Sequence, residues 1–199
     1  MNASASAAPA AKAAAKKPEG LTFTERYDGQ DDVSKLSRSF ATGSPTVASV
    51  LRSFSDRHSP SGQKFVYASA ETEVLGRVLT GATGRSMAEL TSEWLWKPMG
   101  AERDAFWCHG RDKQAGAYFC FNASLRDWGR LGVLMANDGL VGGQQIISAD
   151  YLREATEIAR QPPAFAPYKA TPSFGYGYQI WLHPLKERSF AFQGVHGQS

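Results

Sequence analysis

The sequence predicts an α+β fold of the α/β sandwich type, in which helices pack on an antiparallel sheet. Apolar residues recur at helical spacing between Val74 and Ala82, which is the pattern of an amphipathic helix. Between Tyr176 and Leu182 they instead alternate with other residues, as they do in a strand. Helices come first along the chain and strands are grouped at its end, as in many α+β domains.

The chain opens with a tail, residues 1–20, whose composition is typical of disorder. It is almost entirely Ala, Ser, Pro and Lys, which cannot build a core. It lacks the apolar stretch of a secretory signal peptide, which favours a cytoplasmic location. One partial domain should occupy residues 21–199. Within it, residues 27–62 are rich in Ser, Asp, Gly and Pro, so we expect a long irregular excursion with one helix near 46–54.

Two helices are predicted next. The first has Ser69 where an N-cap would lie, and Gly84 should end it. The second opens with a capping box, in which the side chains of Ser86 and Glu89 each satisfy the other residue's backbone amide. This helix should end before Pro98.

Two further helices and three strands complete the prediction. A helix should start at Ser124 or Leu125, with Asp127 and Arg130 serving it as cap and ion pair. A short strand at 145–147 and a helix after Ser148 should follow. Strands at 176–182 and 189–195, joined by a turn around 184–188, should form an antiparallel pair.

Composition excludes several functional classes. The net charge is +3, and the tail contributes +2 of it from three lysines against Glu19, so no basic face points to nucleic acid. No stretch approaches the roughly 20 apolar residues of a membrane span. Two cysteines, Cys108 and Cys120, are too few for a disulfide scaffold and lack zinc-site spacing, so we predict buried thiols. His58, His109 and His183 have no partners at ligand spacing, and no metal or cofactor is predicted.

Four local patterns resemble one enzyme family. They are Phe65–Leu75, Leu95–Ala105, Ala123–Gly132 and Gly194–Gln198. In this order they are similar to serine hydrolases of the class C β-lactamase and penicillin-binding-protein superfamily, and particularly to 6-aminohexanoate-dimer (nylon-oligomer) hydrolases and related carboxylesterases. The resemblance implies a β-lactamase-like fold. It also implies hydrolysis of a small-molecule amide or ester through an acyl-serine, without a cofactor.

The resemblance also implies roles for individual residues. The segment from Tyr67 to Ser69 matches the family's Tyr-x-Asn motif with Ser in place of Asn, so Tyr67 would shuttle the proton and Ser69 would contact substrate. Gly194 falls at the end of the Lys-Thr-Gly position, which has no lysine here. Val195 would donate its amide to the oxyanion hole, with His196 beside it. The alternatives are a core tyrosine at Tyr67 and a simple glycine turn at 194–197.

Tyr27 lies in a segment, residues 22–28, that is similar to a loop placing a second tyrosine over the substrate amide. Its alternative is an ordinary loop tyrosine. The family nucleophile is the serine of a helix-borne Ser-x-x-Lys. The one literal match is Ser61 to Lys64. We reject Ser61 as the nucleophile, because no apolar helix follows it and Tyr67 lies only three residues beyond Lys64.

The resemblance therefore implies a domain truncated at both ends, without the nucleophile segment. Three functions remain open. The first is an acyl-serine hydrolase in the intact domain, and the second is an inactive fragment or a binding module of the same fold. The third, an adapter that reaches an acidic partner through the tail, has little support. Nothing in the sequence indicates an oligomeric state.

Overall fold

The computed structural model describes residues 22–55, 59–195 and 197. The predicted tail, His58 and His196 lie outside the described residues. The α-helices within the described part are α1 (Asp32–Thr42), α2 (Val47–Ser53), α3 (Ser69–Thr83), α4 (Met87–Thr91), α5 (Leu125–Ala136) and α6 (Ala149–Thr156). None of these is long and apolar enough to cross a membrane. One π-helical turn and two 3-10 turns occupy Ser92–Trp96, Ile158–Arg160 and Pro163–Phe165.

The strands are short and pair antiparallel in three small sheets. The strands are β1 (Phe106–Trp107), β2 (Phe121–Asn122), β3 (Leu140–Val141), β4 (Gln144–Gln145), β5 (Gly175–Gly177), β6 (Ile180–Leu182) and β7 (Phe190–Ala191). β1 pairs with β2, β3 with β4, and β5, β6 and β7 form one sheet in that order. The helices and small antiparallel sheets confirm the predicted α+β class.

The prediction of an irregular excursion over residues 27–62 is wrong in its first half. Helix α1 begins after Asp31, whose side chain accepts a hydrogen bond from the Ser34 amide, and ends at Gly43 in a left-handed conformation. Such caps satisfy amide and carbonyl groups that a helix leaves unpaired at its ends. Few apolar residues mark this helix, which is why its polar composition concealed it. The helix predicted near residue 50 is confirmed as α2.

Helix α3 ends before Gly84 as predicted and begins one residue earlier than predicted, but the apolar residues that indicated it do not form its buried face. Its buried residues are Ala70, Glu73 and Gly76, whereas Val74, Leu75 and Val78 are exposed. Apolar residues alone located the helix, but they did not identify the side that packs. Ser69 is the first helical residue rather than the N-cap, which is Ala68.

Helices α4 and α5 keep their predicted start signals. Ser86 and Glu89 form the capping box at the start of α4. Ser124 caps α5. The fully buried Asp127 carboxylate accepts a hydrogen bond from the Glu102 amide at 2.8 Å and pairs with Arg130 at 3.1 Å. Asp127 and Arg130 therefore hold α5 to the preceding loop. The predicted ion pair between them is confirmed, whereas the N-cap is Ser124 rather than Asp127.

The strand predicted over 176–182 is in fact a hairpin. Its turn falls at Tyr178 and Gln179, which both have positive φ, 52° and 68°. Two consecutive left-handed residues form the tight turn that suits the twist of paired strands. The later strand is confirmed only at Phe190–Ala191, where Ala191 lies opposite Trp181 in the sheet. The predicted antiparallel pairing of the closing strands is therefore correct, but with an extra strand.

Cys108 and Cys120 form a disulfide, so the prediction of free thiols is wrong. Pairing of β1 with β2 places Trp107 opposite Phe121. This brings Cys108, which follows β1, beside Cys120, which precedes β2, with 5.4 Å between their Cα atoms. The number of cysteines alone does not predict that Cys108 and Cys120, twelve positions apart, are brought together by the fold. Disulfides persist mainly in oxidising compartments, so this bond does not support the predicted cytoplasmic location.

The core divides into three clusters of buried side chains. One joins α1 and α2 to Phe23 and to Ala68 and Ala70 at the start of α3. A second surrounds Leu182 in β6 with residues of α5 and α6. The third holds Trp96, Met99 and Leu134. Leu131 and Ile147 pack against both of the last two clusters, so α5 connects the two.

Candidate active site

Tyr67 is half-buried just before α3 and is held by the closing hairpin. Its ring stacks on Trp181 with 5.5 Å between centroids and meets Tyr176 edge-on at 5.6 Å. Its hydroxyl has no hydrogen-bond partner among the described residues. Burial, followed by the charge of Glu25, raises the pKa of Tyr67 above its usual value. The side chain is thus a fixed ring with a neutral, unengaged hydroxyl at pH 7.

Gly194 and Val195 lie on the segment that leaves β7. This strand pairs Ala191 with Trp181, the residue on which Tyr67 stacks. Val195 is exposed, and the carbonyl oxygen of Gly194 accepts a hydrogen bond from the Gly197 amide at 3.0 Å. Gly194 lies three positions after Ala191, the residue opposite Tyr67's stacking partner Trp181.

Glu25 joins two of the predicted site residues. Its carboxylate accepts hydrogen bonds from the Ser69 amide at 2.9 Å, the Ser69 hydroxyl at 2.7 Å and the Tyr27 hydroxyl at 2.5 Å. Ser69 and Tyr27 are 42 positions apart in sequence, yet they share this one carboxylate. Sequence reasoning assigned Glu25 no role, because only its place in the fold reveals its partners. Ala68 gives α3 no side-chain cap, so Glu25 supplies a cap from a distant loop.

Tyr27 is held in an uncommon backbone conformation. Its φ is 58°, a left-handed value that a bulky residue adopts only at a cost. Its backbone amide donates to the Asp31 carboxylate at 2.6 Å, and the Arg26 amide donates to the same oxygen at 2.5 Å. Burial, followed by the hydrogen bond to Glu25, raises the pKa of Tyr27. Half of the side chain stays exposed, so a ligand can reach it.

Lowering the pH should destabilise the segment around Tyr27, because protonation of Asp31 weakens the hydrogen bonds that its carboxylate accepts. Burial alone would raise the pKa of the Asp31 carboxyl, but hydrogen bonds from Ser34, Arg26 and Tyr27 lower it from 3.8 to about 2. A depressed pKa stabilises the folded state fully above the unfolded value, and that stability is lost as the pH falls through the folded value. Between pH 3.8 and about 2, we expect wild-type stability to fall more steeply than that of Asp31→Asn.

Urea unfolding midpoints measured across this pH range test the expectation. The control is Asp104→Asn, which changes an exposed carboxyl elsewhere and should keep the wild-type pH dependence. Parallel curves for wild type and Asp31→Asn would show that Asp31 does not provide this stability.

Ser61 lies in an exposed turn, as predicted. Residues 61 and 62 form the turn, Gly62 has a φ of 77°, and the Gln63 amide donates to the Pro60 carbonyl oxygen at 3.3 Å. No helix carries Ser61 and Lys64 together. Its rejection as a nucleophile stays a prediction, supported by this local geometry.

The remaining histidine predictions concern residues away from this cluster. His109 is exposed and forms an isolated β-bridge with Ala115. His183 packs against Phe174 at 4.9 Å, and its Nδ1 lies 3.3 Å from the Ser189 hydroxyl. In the part of the chain that the structure describes, no group of three or more His, Cys, Asp or Glu side chains could hold a metal ion.

Comparisons with known proteins agree with this architecture. The chain is 26% identical over 140 residues to the 6-aminohexanoate-dimer hydrolase of Paenarthrobacter ureafaciens, which covers 68% of this chain and 35% of that protein. A solved structure from Bacillus anthracis, provisionally assigned as a 6-aminohexanoate-dimer hydrolase, superposes with a TM-score of 0.74 at 23% identity. That likeness covers 90% of this chain and 48% of the other, and it shows the fold.

The chain therefore spans about a third of the curated relative and about half of the solved structure. The beta-lactamase family model matches residues 26–199, which is most of the chain and includes Tyr27, Tyr67, Ser69 and Val195. On the strength of this match, the chain belongs to the beta-lactamase family.

Proposed function

We propose that this chain forms the acid/base side of the acyl pocket in a serine hydrolase of amide or ester bonds. The observation that carries the proposal is Tyr67, a phenol whose ring is fixed by Tyr176 and Trp181 while its hydroxyl is unengaged among the described residues. A general acid or base needs both properties, because the group must be held in place and must still have a free hydrogen-bonding site. Family membership supports this reading.

Tyr67 acts as base and then as acid in this proposal. A neutral phenol is a poor base at pH 7, and burial, followed by the charge of Glu25, lowers the phenolate fraction further by raising the pKa of Tyr67. The ammonium of a Ser-x-x-Lys lysine would act in the opposite direction, because a nearby positive charge favours phenolate. Tyr67 then takes the serine proton during attack and returns it to the leaving group. The Val195 amide stabilises the oxyanion that forms between these steps.

The substrate we propose is a small amide or ester, with 6-aminohexanoate oligomers as the first candidates. The curated relative is named for the dimer of this amino acid. Ser69 stands where β-lactamases carry Asn, and Phe192-Gln193-Gly194 offers no lysine for a β-lactam carboxylate. We therefore expect little turnover of β-lactams.

A second candidate function is a catalytically inactive chain or a binding module of the same fold. One observation favours it, since the only literal Ser-x-x-Lys match, Ser61–Lys64, begins in an exposed turn. The two functions differ in what happens when a nucleophile is supplied. The comparison uses the extended form, which we define as this chain joined upstream to a family segment that carries a Ser-x-x-Lys helix.

The chain by itself, without the added upstream segment, should show no esterase turnover above background and no labelling of Ser61 by a fluorophosphonate. Ser61→Ala should therefore react as the wild type does, because Ser61 lies in an exposed turn and no helix carries it together with Lys64. Hydrolysis of p-nitrophenyl esters and of the 6-aminohexanoate dimer is measured in parallel on the extended form. Turnover there supports the enzyme, and ligand binding without turnover supports the binding module. Wild-type labelling that disappears in Ser61→Ala would contradict the assignment of Ser61 as a turn residue.

A further inference from the structure

We propose that the disulfide between Cys108 and Cys120 is a redox-sensitive latch on the loop that it closes. In the disulfide form, this loop, residues 109–119, stays closed over the buried carboxylate of Glu73 in α3. In the dithiol form, the loop opens while the rest of the fold stays intact. The proposal goes beyond the proposed function, because it concerns the opening of one loop and does not depend on the role of Tyr67.

The loop covers a charged group inside the fold. The Glu73 side chain is only 1% exposed. Its carboxylate accepts a hydrogen bond from the Ala117 amide of the loop at 2.9 Å and pairs with Arg77 at 2.8 Å. Arg77 also pairs with Asp112 of the loop at 2.9 Å. Burial of a carboxylate is costly unless the group is paired and hydrogen-bonded, so the closed loop supplies part of what allows Glu73 to be buried.

The loop also contacts α1, and it therefore bridges two helices. The Arg111 amide donates to the Phe40 carbonyl oxygen at 3.3 Å, and the ring of Phe119 meets the Phe40 ring edge-on at 4.8 Å. Helices α1 and α3 follow the segments that carry the two predicted site tyrosines. Opening of the loop would thus loosen a connection between the helices that follow those segments.

Few buried contacts hold the loop in place. Of residues 109–119, all of which the structure describes, only Gly116 is buried, and the tip at 111–114 is exposed. The buried residues of the three core clusters all lie outside the loop. Segments with little buried apolar surface are the ones that open locally, without unfolding of the whole domain.

The disulfide restricts what the loop can do once these weak contacts break. It joins residues 12 positions apart, and a covalent cross-link removes most of the open conformations that a segment of this length could adopt. Without the cross-link, the open loop gains this conformational entropy, whereas the contacts of the closed loop stay the same. Reduction should therefore shift the equilibrium towards the open loop.

A dithiol can carry out the reduction, because Cys108 and Cys120 are both only partly buried. One thiolate of the dithiol attacks a cysteine sulfur, which breaks the S–S bond and releases the other cysteine as a thiolate. The second thiolate of the reductant then attacks the mixed disulfide and releases the first cysteine. Two electrons and two protons pass to the two cysteines, and the dithiol becomes a disulfide.

Hydrogen exchange at two matched backbone amides tests the latch on the chain as it exists. The Ala117 amide donates to buried Glu73 within the loop, and the Glu102 amide donates to buried Asp127 outside it, at 2.8 Å. We expect reduction with dithiothreitol to speed exchange at Ala117 by a factor on the order of 10 to 10². Exchange at Glu102 should stay unchanged, and reoxidation should restore the slow exchange at Ala117.

Asp112→Asn separates the contribution of the ion pair from that of the disulfide. With the disulfide intact, this variant should change exchange at Ala117 little, because the cross-link still confines the loop. After reduction, it should speed exchange beyond that of the reduced wild type, because the contact with Arg77 is weakened as well. Asp104→Asn changes an exposed carboxyl outside the loop and should match the wild type in both states.

Three results would overturn the proposal. Equal acceleration at Ala117 and Glu102 would mean that the disulfide stabilises the whole fold, and unchanged exchange at Ala117 would mean that the loop stays closed without it. An effect of Asp112→Asn that is as large before reduction as after it would identify the ion pair as the latch. If the reduced chain aggregates, the double variant Cys108→Ser, Cys120→Ser represents the open form, and failure of this variant to fold would also contradict a local latch.

Discussion

Replacing Tyr67 with Phe in the extended form should lower turnover by a factor on the order of 10² to 10⁴, the usual contribution of a positioned acid/base group. The ring contacts with Tyr176 and Trp181 should remain, because only the hydroxyl is lost. No hydrogen bond to a described residue is broken, so unfolding should change little. The chemical step is therefore affected far more than the fold.

Initial rates on an amide and on an ester substrate, together with urea unfolding, measure the two effects. Tyr168→Phe is the matched control, since Tyr168 is an exposed tyrosine with no assigned role, and it should keep full activity. Near-normal turnover in Tyr67→Phe would assign the proton shuttle to another residue. A large loss of stability would instead mean that the hydroxyl has a structural partner.

Replacing Leu182 with Ala should destabilise the fold by about 2–5 kcal/mol, the range for leucine truncation in a packed core. Leu182 is fully buried in β6, where it packs with Met135 of α5 and with Leu152 and Ala155 of α6. The substitution leaves a cavity where these elements meet. Because Trp181 is the adjacent residue, the same change should loosen the stacking partner of Tyr67.

The free energy of unfolding from urea titration measures this effect. Leu185→Ala is the matched control, since Leu185 is exposed in the following turn, and surface changes usually stay within about 0.5 kcal/mol. If Leu182→Ala also changes stability by less than about 1 kcal/mol, the second core cluster is not packed as described.

Features that depend on neighbouring residues could be predicted from the sequence. The Ser86 and Glu89 capping box is one, because both partners lie within a single helical turn. The start of α5 at Ser124 is another. The Tyr67-to-Ser69 motif was visible for the same reason. The prediction of Ser69 as the N-cap is nevertheless wrong. Ser69 is the first helical residue, and its own amide donates to the Glu25 carboxylate.

Features that depend on distant contacts could not be predicted. Glu25 lies 44 positions from Ser69, and no local pattern signals that pairing. The buried Glu73 carboxylate accepts a hydrogen bond from the Ala117 amide at 2.9 Å. The side of α3 that packs against the rest of the chain therefore contains an acidic residue. The apolar residues Val74 and Val78 lie on the exposed side. The pairing of Cys108 with Cys120 likewise required knowledge of the β1–β2 register.

The most direct test of the acid/base assignment is a crystal structure of the extended form trapped with a phosphonate on its nucleophile. The adduct mimics the tetrahedral intermediate, so its oxygens mark where charge develops. Our account predicts that the Tyr67 hydroxyl lies within about 3.2 Å of the modified serine oxygen. It also predicts that the Val195 amide donates to a phosphonyl oxygen at about 3 Å. An adduct with Tyr67 on its far side, beyond the reach of one bridging water, would contradict the account.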